Sequence, residues 1–146
     1  MMSFSDGAHV IVDSAIALLK MAGRIVVDRL TVMKTAYLIE RKYFLTKKER
    51  LTNLTYYKYV YGPYNGLIIN RLEELASENR IEKESDYEYN ISFYNPKNKI
   101  SEEISKEVVK VLKTHKYSFN LVDYVHNFKE VKETIFGEEI RFENAI

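Results

Sequence analysis

At 146 residues the chain has room for one ordinary domain, and 46% hydrophobic with 29% charged residues is a globular balance. A formal net charge of +1 provides no global field for recruiting polyanions. The absence of cysteine excludes disulfide frameworks, thiolate metal sites and thiol catalysis. Gln and Trp are also missing, beside abundant Lys, Glu, Ile and Tyr, a bias shared by thermophile proteins and by compositionally skewed genomes.

The longest apolar stretch, Val10 to Ala22, contains Asp13 and Lys20 and falls well short of the ~20 residues of a membrane span. Met1 to His9 lacks the positive charge that opens a secretory signal, so a cytoplasmic protein without a membrane segment is expected. Ser5-Asp6 reads as the cap of a first helix that runs to Ala22 and stops at Gly23. Its polar residues His9, Asp13 and Lys20 share one narrow stripe, and a helix apolar around the rest of its circumference belongs in a core.

A second helix is predicted from Asp28 or Thr31 to Phe44, with Leu30, Met33, Tyr37 and Phe44 inward and Lys34, Arg41 and Lys42 on the other side. A polar connection, Thr46 to Arg50, follows. Nine basic residues face three acidic ones between Lys20 and Arg50, so this region is locally basic. Leu54 to Tyr61 is rich in β-branched and aromatic residues and reads as extended. Tyr57, Tyr59 and Tyr61 would lie on one side of it, with Tyr56, Lys58 and Val60 on the other. Gly62-Pro63 ends that stretch, because proline has no N–H and disfavours helix in the preceding residue. A third helix then reaches Asn79, with Leu67, Ile68, Leu72, Leu75 and Ala76 inward and Asn70, Arg71, Glu73, Glu74 and Glu78 outward.

After Arg80 the period becomes twofold. Ile81 and then Tyr87 to Phe93 form a predicted β-hairpin around Glu84-Ser85-Asp86. Ser101 caps a fourth helix with Glu102 and Glu103 in its first turn. Ile104, Val108, Val111 and Leu112 are its buried side. A last helix from Ser118 packs Leu121, Tyr124, Val125 and Phe128. The expected organisation is one domain over residues 1–146, with 130–146 as a loosely packed tail. The fold class is α+β, mainly α, with a winged-helix-like centre of helices and a small hairpin surrounded by N- and C-terminal helices.

No Gly-rich phosphate loop, nucleophile elbow or HExxH motif is present, and no catalytic residue is assigned. His115, His126 and Asp123 could form a two-His-one-carboxylate site only on a continuous helix, and Lys116-Tyr117-Ser118 reads as a break. No metal or cofactor is therefore expected, and His126 reads as structural. The third helix stands where a recognition helix would, but it carries Arg71 and Arg80 against Glu73, Glu74 and Glu78, and the hairpin after it is more acidic still. That balance opposes phosphate contacts. Duplex DNA is thus the alternative partner and a protein the favoured one.

The segment Tyr57, Tyr59-Val60-Tyr61-Gly62-Pro63-Tyr64, followed by Ile68, Leu72 and Leu75, resembles the core of the SocA-like, or Panacea, antitoxin domain. Upstream, Leu30, Lys34, Tyr37, Leu38 and Tyr43 are similar to that family's preceding helix. Arg80-Ile81, Leu121 to His126, Gly137 and Ile140 follow in the family's order. The resemblance implies a mostly helical, non-enzymatic domain that neutralises a toxin by direct contact or acts as an adaptor to a protease. The motif core is Tyr57, Gly62, Pro63, Leu72 and Leu75, and its implied role is a scaffold. Partner contacts are expected at Tyr61, Tyr64, Asn65 and Arg71 and at the basic patch of Arg41, Lys42, Lys47, Lys48 and Arg50. The partner would be a toxin encoded nearby, and a homodimer is compatible with the pattern.

Overall fold

A computed structural model describes residues 2–146. The first helix, α1 (Phe4–Met21), is capped by Ser3, whose side chain accepts from the Asp6 N–H at 3.0 Å. The cap therefore lies two residues before the expected Ser5. Gly23 takes φ 85°, and the Arg24 N–H returns to the Leu19 carbonyl, which closes the helix end. The polar stripe of α1 has a definite use. Asp13 accepts from the Tyr94 hydroxyl at 2.8 Å, and Lys20 Nζ donates to the carbonyls of Ser92 and Tyr94. Both anchor the loop that follows the hairpin.

A short strand that local pattern did not reveal, β1 (Val26–Asp28), precedes α2 (Arg29–Lys47). Asp28 caps α2 by accepting from the Thr31 N–H at 2.7 Å. Two further strands, β2 (Tyr56–Tyr59) and β3 (Gly62–Tyr64), form a hairpin ahead of α3 (Gly66–Ser77). Gly62-Pro63 thus opens a return strand as well as ending the first one. Gly62 takes φ 92°, the left-handed position required after the Val60-Tyr61 turn. Strands β4 (Glu82–Lys83) and β5 (Glu88–Asn90) pair antiparallel and join β1 in a sheet of order β1-β5-β4. The predicted extension to Phe93 fails because the Asn90 side chain accepts from the Ser92 N–H and turns the chain, leaving Phe93 85% exposed.

The remaining elements are α4 (Glu102–Thr114), α5 (Ser118–His126), α6 (Lys129–Glu133), β6 (Glu139–Ile140) and a 3-10 turn at Phe142–Ala145. The class is α+β, mainly α. Ser101 caps α4 as its sequence suggests. Strand β6 completes a second sheet of order β3-β2-β6, with Tyr56 opposite Ile140 and Tyr57 opposite Glu139. Residues 130–146 contribute Val131, Ile140 and Phe142 to the core. Helices α1 and α2 occupy its centre, buried by α3, α4 and α5. Between them Ile11, Leu18, Val32, Ile39, Leu72 and Leu112 are fully enclosed, and burial of this kind is the main stabilising term of such a fold.

Candidate functional site

The β2–β3 hairpin projects aromatic side chains outward. Only Tyr56 of the tyrosine run turns into the core, because β2 has its inner face on α2 and the 3-10 turn, where Tyr56 meets Tyr37 and Phe142 edge-on. Lys58, on the same side of the strand by alternation, is half-buried. Tyr57, Tyr59 and Tyr61 are each exposed to 41–46%. They do not stand alone: Tyr59 packs edge-on against Tyr64 at 5.3 Å and Phe136 at 5.9 Å, and Tyr61 packs on Phe119 at 5.9 Å. Phe119 and Phe136 are 60% and 62% exposed, so two distant segments of the chain each add an exposed ring to the tyrosines of the hairpin. Local sequence gave no sign that Phe119 and Phe136 belong with the tyrosines, since contact across such separations is set by β6 and α5.

Beside this surface lies a groove of about 490 Å³ between α2, α3 and the hairpin. Leu30, Met33 and Ile69 form apolar walls, Tyr59 and Tyr61 its rim, and Lys34 its polar element. The expectation that Lys34 faces outward is overturned, for it is 2% exposed. Its spacing from Leu30 and Tyr37, at i+4 and i−3, puts it on their face of α2. Nζ donates to the Pro63 carbonyl at 2.8 Å. Burial lowers its pKa to about 7, opposed by the charge of Asp28.

Pro63 therefore has no N–H to offer and its carbonyl is occupied, which blunts the outer edge of β3 against another strand. Gly62 is enclosed from the other side. A Cβ there would stand 3.2 Å from the His126 ring and 3.6 Å from Lys34 Cε. The His126 Nε2 is buried without a hydrogen-bond partner, and burial with the nearby charges of Lys34 and Lys58 lowers its pKa. Helix α4 ends at Thr114 and α5 begins at Ser118, so His115 and His126 lie on separate helices. Among the described residues no group of three or more acidic or histidine side chains is placed to hold a metal.

Two residues expected to contact a partner serve the fold. Asn65 is buried as the cap of α3, accepting from the Leu67 N–H and donating to the Thr55 carbonyl, both at 2.8 Å. Arg71, expected to look outward, is 7% exposed and pairs with Glu74. The reason is spacing: Arg71 lies between Ile68 and Leu75 on the buried face of α3, and its long stem packs there.

The basic patch also divides. Arg41 Nε donates to Glu130 at 2.7 Å, and its guanidinium lies 3.8 Å from the Phe128 ring centroid. Arg50 lies over Phe142, donates to the Leu54 carbonyl and stands 3.6 Å from Glu40. Both carboxylates are fully buried. Glu130 also accepts from the Tyr37 hydroxyl at 2.6 Å, and burial and that negative charge push the tyrosine pKa up. Glu40 accepts from the Thr52 N–H and hydroxyl, while burial raises its pKa. Lys42 is half-buried, and Lys47 and Lys48 are exposed at the end of α2.

The acidity of α3 is compensated in the same manner. Glu73 accepts from the Tyr89 hydroxyl at 2.7 Å and pairs with Lys83 and Arg29. These contacts, Tyr89 foremost, hold its pKa at about 2. Glu74 carries Arg71 and faces His9 at 3.5 Å. The carboxylates that distinguish this helix in the sequence are thus tied to neighbouring cations.

No helix of the described residues is long and apolar enough to cross a membrane. No curated protein and no solved structure matches the chain. A family model described as antitoxin SocA-like, Panacea domain, matches residues 32–130. That span contains the hairpin, Lys34 and all the groove's lining residues except Arg29 and Leu30, and ends at Glu130. Matched over more than half of its length, the chain belongs to the SocA-like antitoxin family and carries a Panacea domain.

Proposed function

We propose that this protein is a non-enzymatic binding module of the antitoxin type, and that it grips a protein toxin through the aromatic surface of the β2–β3 hairpin. Family membership supports the antitoxin class. The single observation that carries the contact surface is the packing of Tyr57, Tyr59 and Tyr64 with Phe136, and of Tyr61 with Phe119, around one hairpin while all six remain exposed. Clustered exposed aromatics bury large area at small entropic cost and are typical anchors of protein interfaces. The blunted β3 edge directs recognition to these side chains instead of backbone pairing. Lys47 and Lys48 then supply a peripheral basic patch suited to steering an acidic partner.

Co-expression with the product of an adjacent gene, followed by size-exclusion chromatography and a growth assay, tests this reading. Co-elution and relief of toxicity are expected. Tyr59→Ala and Phe136→Ala should each weaken the complex by about 1–2 kcal/mol, roughly five- to thirty-fold, while the free protein stays folded. Unchanged affinity in both variants would place the interface elsewhere.

A further inference from the structure

The groove beside the hairpin combines two features that seldom meet: an apolar lining and a buried, unpaired cation. Its charged lining residues are Arg29 and Lys34. Arg29 is committed to Glu73 and Tyr89. Lys34 has no carboxylate partner among the described residues, and one of the three donors of an ammonium is used, by the Pro63 carbonyl. Isolated buried charge is costly, so a buried lysine either sheds its proton or takes up an anion that can reach it. Lys34 is among the residues that line the groove, whose volume of about 490 Å³ falls within the range of small-ligand cavities. Leu30, Met33 and Ile69 present only hydrocarbon and thioether to an occupant.

We propose that this groove is a binding site for a small apolar monocarboxylate, with its carboxylate accepting from Lys34 Nζ and its hydrocarbon part against Leu30, Met33 and Ile69. A free small molecule fits better than a peptide terminus. A bound peptide needs partners for its backbone, and the adjacent β3 edge offers neither an N–H nor a free carbonyl at Pro63. A dicarboxylate or phosphate fits poorly, because one cation faces the groove without a counter-ion and the walls are apolar. The charged groups around Lys34 are Asp28 at the start of α2, Arg29 beside it, His126 on α5 and Lys58 on β2. Asp28 is the acid among them, and the Thr31 N–H already occupies one of its carboxylate oxygens. This site shares Tyr59, Tyr61 and Tyr64 with the proposed toxin contact, but it is argued from Lys34 and the apolar walls, and the test uses the protein alone.

Octanoate and octanamide, equal in length and differing in charge, are the probes. Calorimetry at about pH 6, where Lys34 carries its proton, should give octanoate an affinity about ten-fold or more above that of octanamide. Octanoate affinity should fall as the pH rises from about 7 to 9, since an anion binds the ammonium and not the amine. Lys34→Met should abolish the preference for the acid. Ile69→Trp, which narrows the groove without touching the lysine, should weaken both probes, and it keeps the test valid if Lys34→Met does not fold. Equal affinity for acid and amide, binding of neither, or octanoate binding undiminished in Ile69→Trp would each overturn the assignment. None of these outcomes bears on toxin co-elution.

Discussion

Phe142 lies four residues from the end of the chain yet is 2% exposed. Its ring stacks on Tyr37 at 5.2 Å with planes 21° apart, meets Tyr56 edge-on at 6.1 Å and touches Phe44 at 5.9 Å. The Arg50 guanidinium covers it at 4.5 Å. Phe142→Ala removes a ring from a closed aromatic cluster that cannot collapse, because Tyr37 and Tyr56 are held from behind by α2 and β2. Truncations of this kind cost about 3–5 kcal/mol, and loss of the cation–π contact adds roughly 0.5–1 kcal/mol. The expected loss is therefore about 4 kcal/mol. With a urea dependence of about 2 kcal/mol per molar, the midpoint should fall by roughly 2 M. Phe142→Leu keeps most of the volume and should cost about 1.5 kcal/mol or less. A midpoint within about 0.5 M of the parent for Phe142→Ala would refute the argument, since it would mean that residues 139–146 stabilise little.

Gly62→Ala should destabilise by about 2–3 kcal/mol in urea melts, because φ 92° disfavours any side chain and the new Cβ meets the His126 ring at 3.2 Å. Arg41→Met leaves Glu130 fully buried with the Tyr37 hydroxyl as its remaining donor, and a loss of about 3 kcal/mol is expected. The pH dependence of stability should carry the signature of Lys34. Its folded pKa of about 7 lies below the unfolded value, so the unfolded chain binds the extra proton between those two limits. Stability should accordingly rise from about pH 7 towards pH 10, by at most about 1.4 kcal/mol per unit from this group, and the rise should vanish in Lys34→Met. A parent protein with a flat profile across that window would contradict the burial of an unpaired ammonium.

Much of the fold is legible because it is local. Asp28 opens α2 and Ser101 with two glutamates announces α4, whereas Asn65, the cap of α3, reads from sequence as a partner contact. The interruption at Lys116-Tyr117-Ser118 separates α4 from α5 as its composition suggests. The candidate site is legible only in part. The Tyr-Gly-Pro-Tyr segment marks the end of β2 but not the return strand β3, and the charge of Lys34 points to solvent where its helical phase, on the face of Leu30 and Tyr37, argues for burial. Arg71 shows the same conflict between residue type and position. Charge describes the tip of a side chain, whereas burial follows the Cα position and the stem.

The order of the main helices and the position of the β4–β5 hairpin follow from periodicity and capping, which act over one or two turns and need no distant partner. The strands β1 and β6 are two or three residues long and exist because β5 and β2 offer them open edges. Only tertiary packing joins Phe119 and Phe136 to the tyrosines, ties Arg41 and Arg50 to buried glutamates and seals Lys34 beneath Gly62. Those pairings join residues far apart in the chain, and their energies arise when water is excluded from both partners at once.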